Sequence, residues 1–177
     1  MWLNLDMDGI TFRLQIRNYT PTIEETDSNW CRVDLSLRSG NWLNYLLKDD
    51  ELLFSYEVDT LLESLEYLLN DKIEIIQEME CIEPDFKFIF HPKTDLRNDP
   101  RYIFIQKGYE IEDGFMEWNI IFWNGGITDN FISIHFDRQD ITNLVCYLNL
   151  VVGKIDIHDE KADHLADHLI NKGTIII

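Results

Sequence analysis

The chain has 177 residues, of which 33 are acidic and 15 basic, giving a formal net charge of −18 and an isoelectric point near 4.4. Hydrophobic residues make up 45% of the chain, so its acidity does not indicate disorder, which requires low hydrophobicity as well. A surface this negative argues against nucleic acid or an anionic membrane as the main ligand, because both would be repelled.

Three further features predict a cytoplasmic protein. The N-terminal residues lack the basic start and apolar run of a secretory signal. No segment approaches the ~18 consecutive apolar residues of a membrane span. Cys31, Cys81 and Cys146 are odd in number and form no CxxC pair, which is typical of reduced thiols that fill a core.

The first third of the chain is predicted to form strands. Residues 11–17 and 31–38 each alternate apolar with polar side chains, and the apolar set is Phe12, Leu14, Ile16, Val33, Leu35 and Leu37. A period of two with polar residues opposite indicates an antiparallel sheet with one face toward water.

The clearest helix follows, because leucines recur at helical spacing at positions 61, 62, 65, 68 and 69. Asp59, Glu63 and Glu66 lie on its opposite side. Residues 73–82 then alternate again, and their predicted core face is Ile73, Ile75, Met79 and Cys81. Phe86, Phe88 and Phe90 begin another strand after the turn at Pro84.

The second half is predicted to be a meander of strands over residues 101–111, 115–123 and 131–136. The Asp113-Gly114 and Asn124-Gly125-Gly126 sequences between them favour hairpin turns with positive φ. A second amphipathic helix follows, capped by Asp137 and ended by Gly153.

These elements predict an α+β fold, with about eight or nine strands in a predominantly antiparallel sheet and two main amphipathic helices covering it. Residues 1–153 are expected to form a single domain. Residues 154–177 are expected to add a short acidic helix, over residues 159–169, and an edge strand at residues 174–177.

The most unusual feature is the acidic segment, residues 49–85, in which thirteen acidic side chains and the single base Lys72 give a local charge of −12. A concentrated negative field on folded elements favours recognition of a basic protein. The predicted contact residues are Asp49, Asp50, Glu51, Asp59, Glu63, Glu66, Glu74 and Glu78. The alternative is a structural subunit whose acidic side chains serve only solubility.

No motif predicts catalysis or a cofactor. His164 and His168, four residues apart on a predicted helix, form the best candidate for a metal site, with Asp163, Asp167, His158 and Asp159 nearby. This spacing keeps a metal-dependent enzyme as an alternative function. Because the two histidines lack the HExxH arrangement, no metal ligand or catalytic residue is assigned. Trp42, Trp118 and Trp123 are expected to pack in the core, whereas Trp30 is a candidate either for the core or for a partner contact.

Several short motifs resemble the WapI-type immunity proteins of bacteria, in one order along residues 10–150. They are Tyr19-Thr20-Pro21, Asp27-Ser28-Asn29-Trp30, the strand around Asp34, Trp42, the leucine helix, and Glu83-Pro84-Asp85-Phe86-Lys87-Phe88. The resemblance implies a cytoplasmic, non-catalytic inhibitor that binds a cognate toxin domain, and several relatives' toxins are nucleases. A nuclease needs a basic active site, and an acidic inhibitor would complement it.

Overall fold

The computed structural model describes residues 1–21, 29–102, 104–156 and 164–177. These residues form eleven strands and three α-helices, and every strand pair is antiparallel, which confirms the predicted α+β class. In chain order the elements are β1 (Trp2–Met7), β2 (Ile10–Arg17), β3 (Trp30–Ser39), β4 (Leu43–Phe54), α1 (Ser55–Leu69), β5 (Gln77–Glu80), β6 (Phe86–His91), β7 (Thr94–Asp95), β8 (Ile111–Glu112), β9 (Phe115–Trp123), β10 (Ile127–Phe136), α2 (Arg138–Val151), α3 (His164–Lys172) and β11 (Ile175–Ile176).

The first sheet has the strand order β11-β1-β2-β3-β4, so β4 lies at an edge. The apolar residues predicted for β2 and β3 are buried, as their alternation requires. Asp34 and Ser36, which were predicted to face water, are also buried. The outer face of this sheet is covered in part by its own charged side chains, since Arg17 donates a hydrogen bond of 2.5 Å to the Asp34 carboxylate.

The second sheet has the order β10-β9-β6-β5 and packs face to face with the first. The ring of Phe12 in β2 lies 5.5 Å from that of Trp118 in β9 and 5.2 Å from that of Phe136 in β10, measured between centroids. Phe86 and Phe88 of β6 contact the same tryptophan from within the second sheet. The predicted strands therefore divide between two sheets, with an aromatic core between them, and β7 and β8 form a separate two-stranded ribbon.

The two longer helices pack against each other and bridge the sheets. Helix α1 contacts β4 of the first sheet and β6 of the second, and α2 contacts β1, β9 and β10. The hydroxyl of Tyr147 in α2 accepts a hydrogen bond of 2.8 Å from the backbone N–H of Ile16, which fixes the helix against β2. Asp137 caps α2 as predicted, because its carboxylate accepts from the N–H of Asp140.

The prediction of a strand over residues 101–111 is wrong, because among the described residues of this stretch a strand begins only at Ile111. That strand, Ile111–Glu112, pairs with β7. Gly114 does not form the predicted positive-φ turn, whereas Gly125 and Gly126 do have positive φ. An added Cβ at position 114 would lie 2.9 Å from a methyl carbon of Leu68 in α1 and 3.2 Å from the carbonyl oxygen of His91, so glycine allows close packing here. The local pattern indicated a hairpin turn, whereas the structure places Gly114 in a tightly packed position against α1.

Three large side chains predicted for the core are exposed instead. The exposed fraction is 73% for Trp42, 49% for Trp123 and 71% for Ile75, whereas Trp118 is fully buried as expected. Each of the three lies near the end of a strand or outside one, where a period of two no longer determines which side faces the core.

At the C-terminus, α3 precedes β11, which pairs with β1 at the edge opposite β4. The predicted helix was expected to begin at residue 159, but residues 157–163 lie outside the described residues.

Candidate protein-binding surface

The predicted contact residues lie on three consecutive parts of the chain. Asp49, Asp50 and Glu51 are exposed in β4, where its pairing with β3 is irregular. Asp59, Glu63 and Glu66 lie on α1, and Glu74 and Glu78 follow on the segment that leads into and includes β5. Asp49 has a left-handed φ of 57°, which aspartate tolerates better than most residues.

Arginines from two neighbouring strands balance part of the charge in β4. Arg17 lies 3.0 Å from the carboxylate of Asp49, and Arg32 lies 2.8 Å from that of Glu51. The backbone N–H of Asp49 also donates a hydrogen bond of 2.8 Å to Asp34, so the irregular stretch is held from both sides. Asp49 and Glu51 therefore support the fold as well as the surface charge.

The acidic face of α1 is also hydrogen-bonded within the protein. The hydroxyl of Tyr19 donates a 2.8 Å hydrogen bond to Asp59, and burial together with this bond raises the pKa of Tyr19 to about 12. Glu63 accepts a hydrogen bond of 2.8 Å from the hydroxyl of Tyr67. Glu66 lies 3.9 Å from Lys154, a long ion pair between exposed groups.

Near the edge of the second sheet, Glu74 is exposed, and the amine of Lys87 lies 2.7 Å from Glu78 and 3.1 Å from Glu80. In the sequence, Lys72 is the only base within the acidic segment. The tertiary structure adds bases from outside the segment, which form ion pairs with its acidic side chains and reduce its local net charge. These bases are Arg17, Arg32, Lys87, Lys93, Arg138 and Lys154.

One acid in this segment has a structural role. Glu57 is buried, and its two carboxylate oxygens accept hydrogen bonds of 2.8 Å from the N–H of Phe54 and 2.7 Å from the N–H of Ile82. Desolvation raises the pKa of its carboxyl, and the two backbone hydrogen bonds oppose that rise. Glu57 thus joins the start of α1 to the loop that precedes β6.

A cleft of about 580 Å³ opens beside Asp50, between edge strand β4 and the end of β9. Aromatic side chains and carboxylates share its lining, and we refer to it as the acidic–aromatic cleft: Tyr45, Asp50, Glu83, Asp85, Phe122 and Trp123. Leu47, Glu51 and Leu52 complete the lining. The backbone N–H of Ile121 donates a 2.8 Å hydrogen bond to the carbonyl of Asp85, which holds the turn before β6 against β9.

Negative charge is concentrated in this cleft, because none of the described residues that line it is basic. Burial raises the pKa of the Asp85 carboxyl, and the charges of Glu83 and Asp50 raise it further, while a hydrogen bond from the Trp123 side chain opposes the rise. Burial and the charges of Asp85 and Asp50 raise the pKa of Tyr45 to about 12. The cleft is therefore an environment in which a cation would be stabilised.

The alternative metal site gains no ligand set from the described residues. His164 and His168 are both exposed on α3, and the part of the chain that the structure describes contains no group of three or more potential metal ligands. His158, Asp159 and Asp163, which the sequence placed near them, lie outside the described residues.

Residues 3–155 match the model of the immunity protein WapI-like family. The chain belongs to that family. The match covers most of the described fold, including both long helices and the acidic segment, and it confirms the resemblance seen in the sequence motifs. No curated protein and no solved structure matches the chain. In the described part of this WapI-like chain, no helix combines the length and apolar character needed to cross a membrane.

The sequence pattern predicts Asp50 and Glu51 as contact residues of this WapI-like protein but not the rest of the cleft. Glu83 and Asp85 belong to the acidic segment without being among the predicted contact residues, and Trp123 is predicted to pack in the core. Position 123 ends β9 immediately before a glycine-containing turn, and that location was the available signal for an exposed aromatic.

Proposed function

We propose that this chain is a non-catalytic, cytoplasmic immunity protein that neutralises a cognate toxin domain by direct binding through the surface of its acidic segment. The toxin domain is basic and nuclease-like, so that negative charge on the inhibitor complements positive charge around the toxin's active site. Stoichiometric occupation of that site would block nucleic acid from entering it.

The observation that carries this proposal is the family match over residues 3–155, which gives an immunity role. The choice of surface is supported by exposure, because all eight predicted contact residues are exposed or partly exposed and seven of them lie on strands or helices. Asp50 also borders a cleft. The ion pairs within the protein indicate which of these carboxylates are available to a partner. Asp50, Glu63 and Glu74 have no ion pair with the described residues, and these are the carboxylates most available to a partner.

A charge-reversal experiment tests the surface. The variant replaces Glu63, Glu66 and Glu74 with lysine and leaves Asp59 unchanged, because Asp59 is bonded to Tyr19 and its reversal would disturb the fold. We expect an unchanged melting temperature but loss of protection against the cognate toxin domain. Like charges facing each other across an interface cost several kcal/mol.

The matched control makes the same change in charge elsewhere, at the exposed residues Glu112, Asp129 and Asp167. If both triple variants lose protection equally, overall charge matters and the proposed surface is wrong. Full protection by the Glu63, Glu66 and Glu74 variant, with a normal melt, would contradict the proposal in the same way.

The ionic-strength dependence of association gives an independent test. If the acidic surface steers binding, the association rate measured by stopped flow should fall steeply as salt increases, while the dissociation rate changes less. An association rate that is constant from low to high salt would remove electrostatic steering from the mechanism.

A further inference from the structure

The acidic–aromatic cleft combines an apolar lining with acidic side chains. Tyr45 and Phe122 contact each other with ring centroids 5.5 Å apart and, with Leu47 and Leu52, provide most of the apolar lining. Trp123 stands beside them with about half of its surface exposed. Exposed aromatic side chains beside a concave apolar surface are typical of the residues that dominate protein interfaces.

Charge complementarity specifies what the groove would bind. Glu51 is paired with Arg32, but Asp50, Glu83 and Asp85 face the cleft without a base among the described residues that line it. Asp85 is buried, with 8% of its surface exposed, so its carboxylate lies at the inner side rather than in bulk water. A neutral or anionic group entering here would leave this negative charge uncompensated, whereas a cation would neutralise it.

The combination of aromatic faces and carboxylates favours one cation among the protein side chains. A guanidinium is planar, stacks on aromatic rings and donates paired hydrogen bonds to carboxylates, while an ammonium is a compact and strongly hydrated point charge. The aliphatic stem of arginine would also contact the apolar lining, as long basic side chains do on such surfaces.

We propose that the acidic–aromatic cleft receives an arginine side chain of the toxin, with the guanidinium between the aromatic rings and the carboxylates of Asp50, Glu83 and Asp85. This inference rests on the proposed function for the identity of the partner. Its chemistry, a groove selective for arginine, is a property of this chain alone and is tested without the toxin.

The first experiment titrates the full chain with the peptide acetyl-Gly-Arg-Gly-amide and follows the indole N–H signal of Trp123 by NMR. The Trp123→Phe variant assigns that signal. We expect a saturable shift with the arginine peptide, at least threefold weaker binding of the lysine peptide, and no saturable shift with the citrulline peptide, which is nearly isosteric but neutral. The proposal would be overturned if the three peptides bound equally, or if the arginine and lysine peptides bound equally. It would also be overturned if the arginine peptide gave no saturable shift.

A second experiment uses the toxin domain and the double variant Asp50→Asn with Glu83→Gln. Both side chains are at least partly exposed, and the variant spares the buried Asp85, so we expect a normal melt and a dissociation constant at least tenfold higher. The control is the double variant Glu112→Gln with Asp129→Asn, which removes the same charge from residues that do not line the cleft and should bind as the wild type does.

The two experiments separate failure of this inference from failure of the proposed function. If the wild-type chain protects against the toxin but the double variant binds it equally well, the cleft proposal is wrong and the immunity function stands. If the wild-type chain does not bind the toxin, the proposed function fails, and the peptide titration still decides whether the cleft selects arginine.

Discussion

Replacing Glu57 with alanine tests whether one buried carboxylate holds the start of α1 to the loop before β6. The substitution removes both acceptors, leaving the N–H groups of Phe54 and Ile82 without partners. The Phe54 N–H is buried, and losing the acceptor of a buried donor costs about 1–3 kcal/mol.

Removal of the carboxylate also recovers part of its desolvation cost, because the pKa of this group is raised by burial. We therefore expect a net loss of about 2 kcal/mol at neutral pH, which for a chain of this size lowers the melting temperature by about 4–8 °C. Glu57→Gln, which keeps one acceptor, should lose about half as much.

Thermal melts followed by circular dichroism measure the change, and amide hydrogen exchange locates it. Exchange should accelerate at residues 54 and 82 in Glu57→Ala. The matched control is Glu63→Ala on the same helix, where the side chain is exposed and the melting temperature should change by less than about 2 °C. A Glu57→Ala protein that melts with the wild type and keeps slow exchange at both amides would refute the reasoning.

Two further predictions concern α2. Burial and the charge of Asp137 raise the pKa of Asp140 to about 6, so the stability it contributes is complete below about pH 4 and is lost as the pH rises through 6. The free energy of unfolding of Asp140→Asn, measured with urea, should therefore equal that of the wild type at pH 4. At pH 7 it should be higher by up to about 1 kcal/mol, allowing for solvent screening. The same difference at both pH values would contradict this prediction. Tyr147→Phe removes the acceptor for the buried N–H of Ile16 and should lower the free energy of unfolding by about 1–3 kcal/mol, with faster exchange at that amide, and unchanged stability would show that the hydrogen bond contributes little.

The sequence alone determined the elements whose pattern is local. Alternation in residues 11–17 and 31–38 predicted both which residues form β2 and β3 and which of their apolar side chains are buried. The leucine spacing predicted the buried side of α1, and Asp137 predicted the start of α2. These features follow from the periods of a strand and a helix, which neighbouring residues set between themselves.

Tertiary structure decided which distant residues meet. Arg17 reaches Asp49 across 32 positions, and the acidic–aromatic cleft joins Tyr45 to Trp123 across a longer interval that includes α1 and β6. Neither the ion pairs that balance the acidic segment nor the exposure of Trp123 has a local signature. Both depend on how two sheets, each with its own strand order and irregular pairing, pack against each other, and the periodicity of a single strand contains no information about that arrangement.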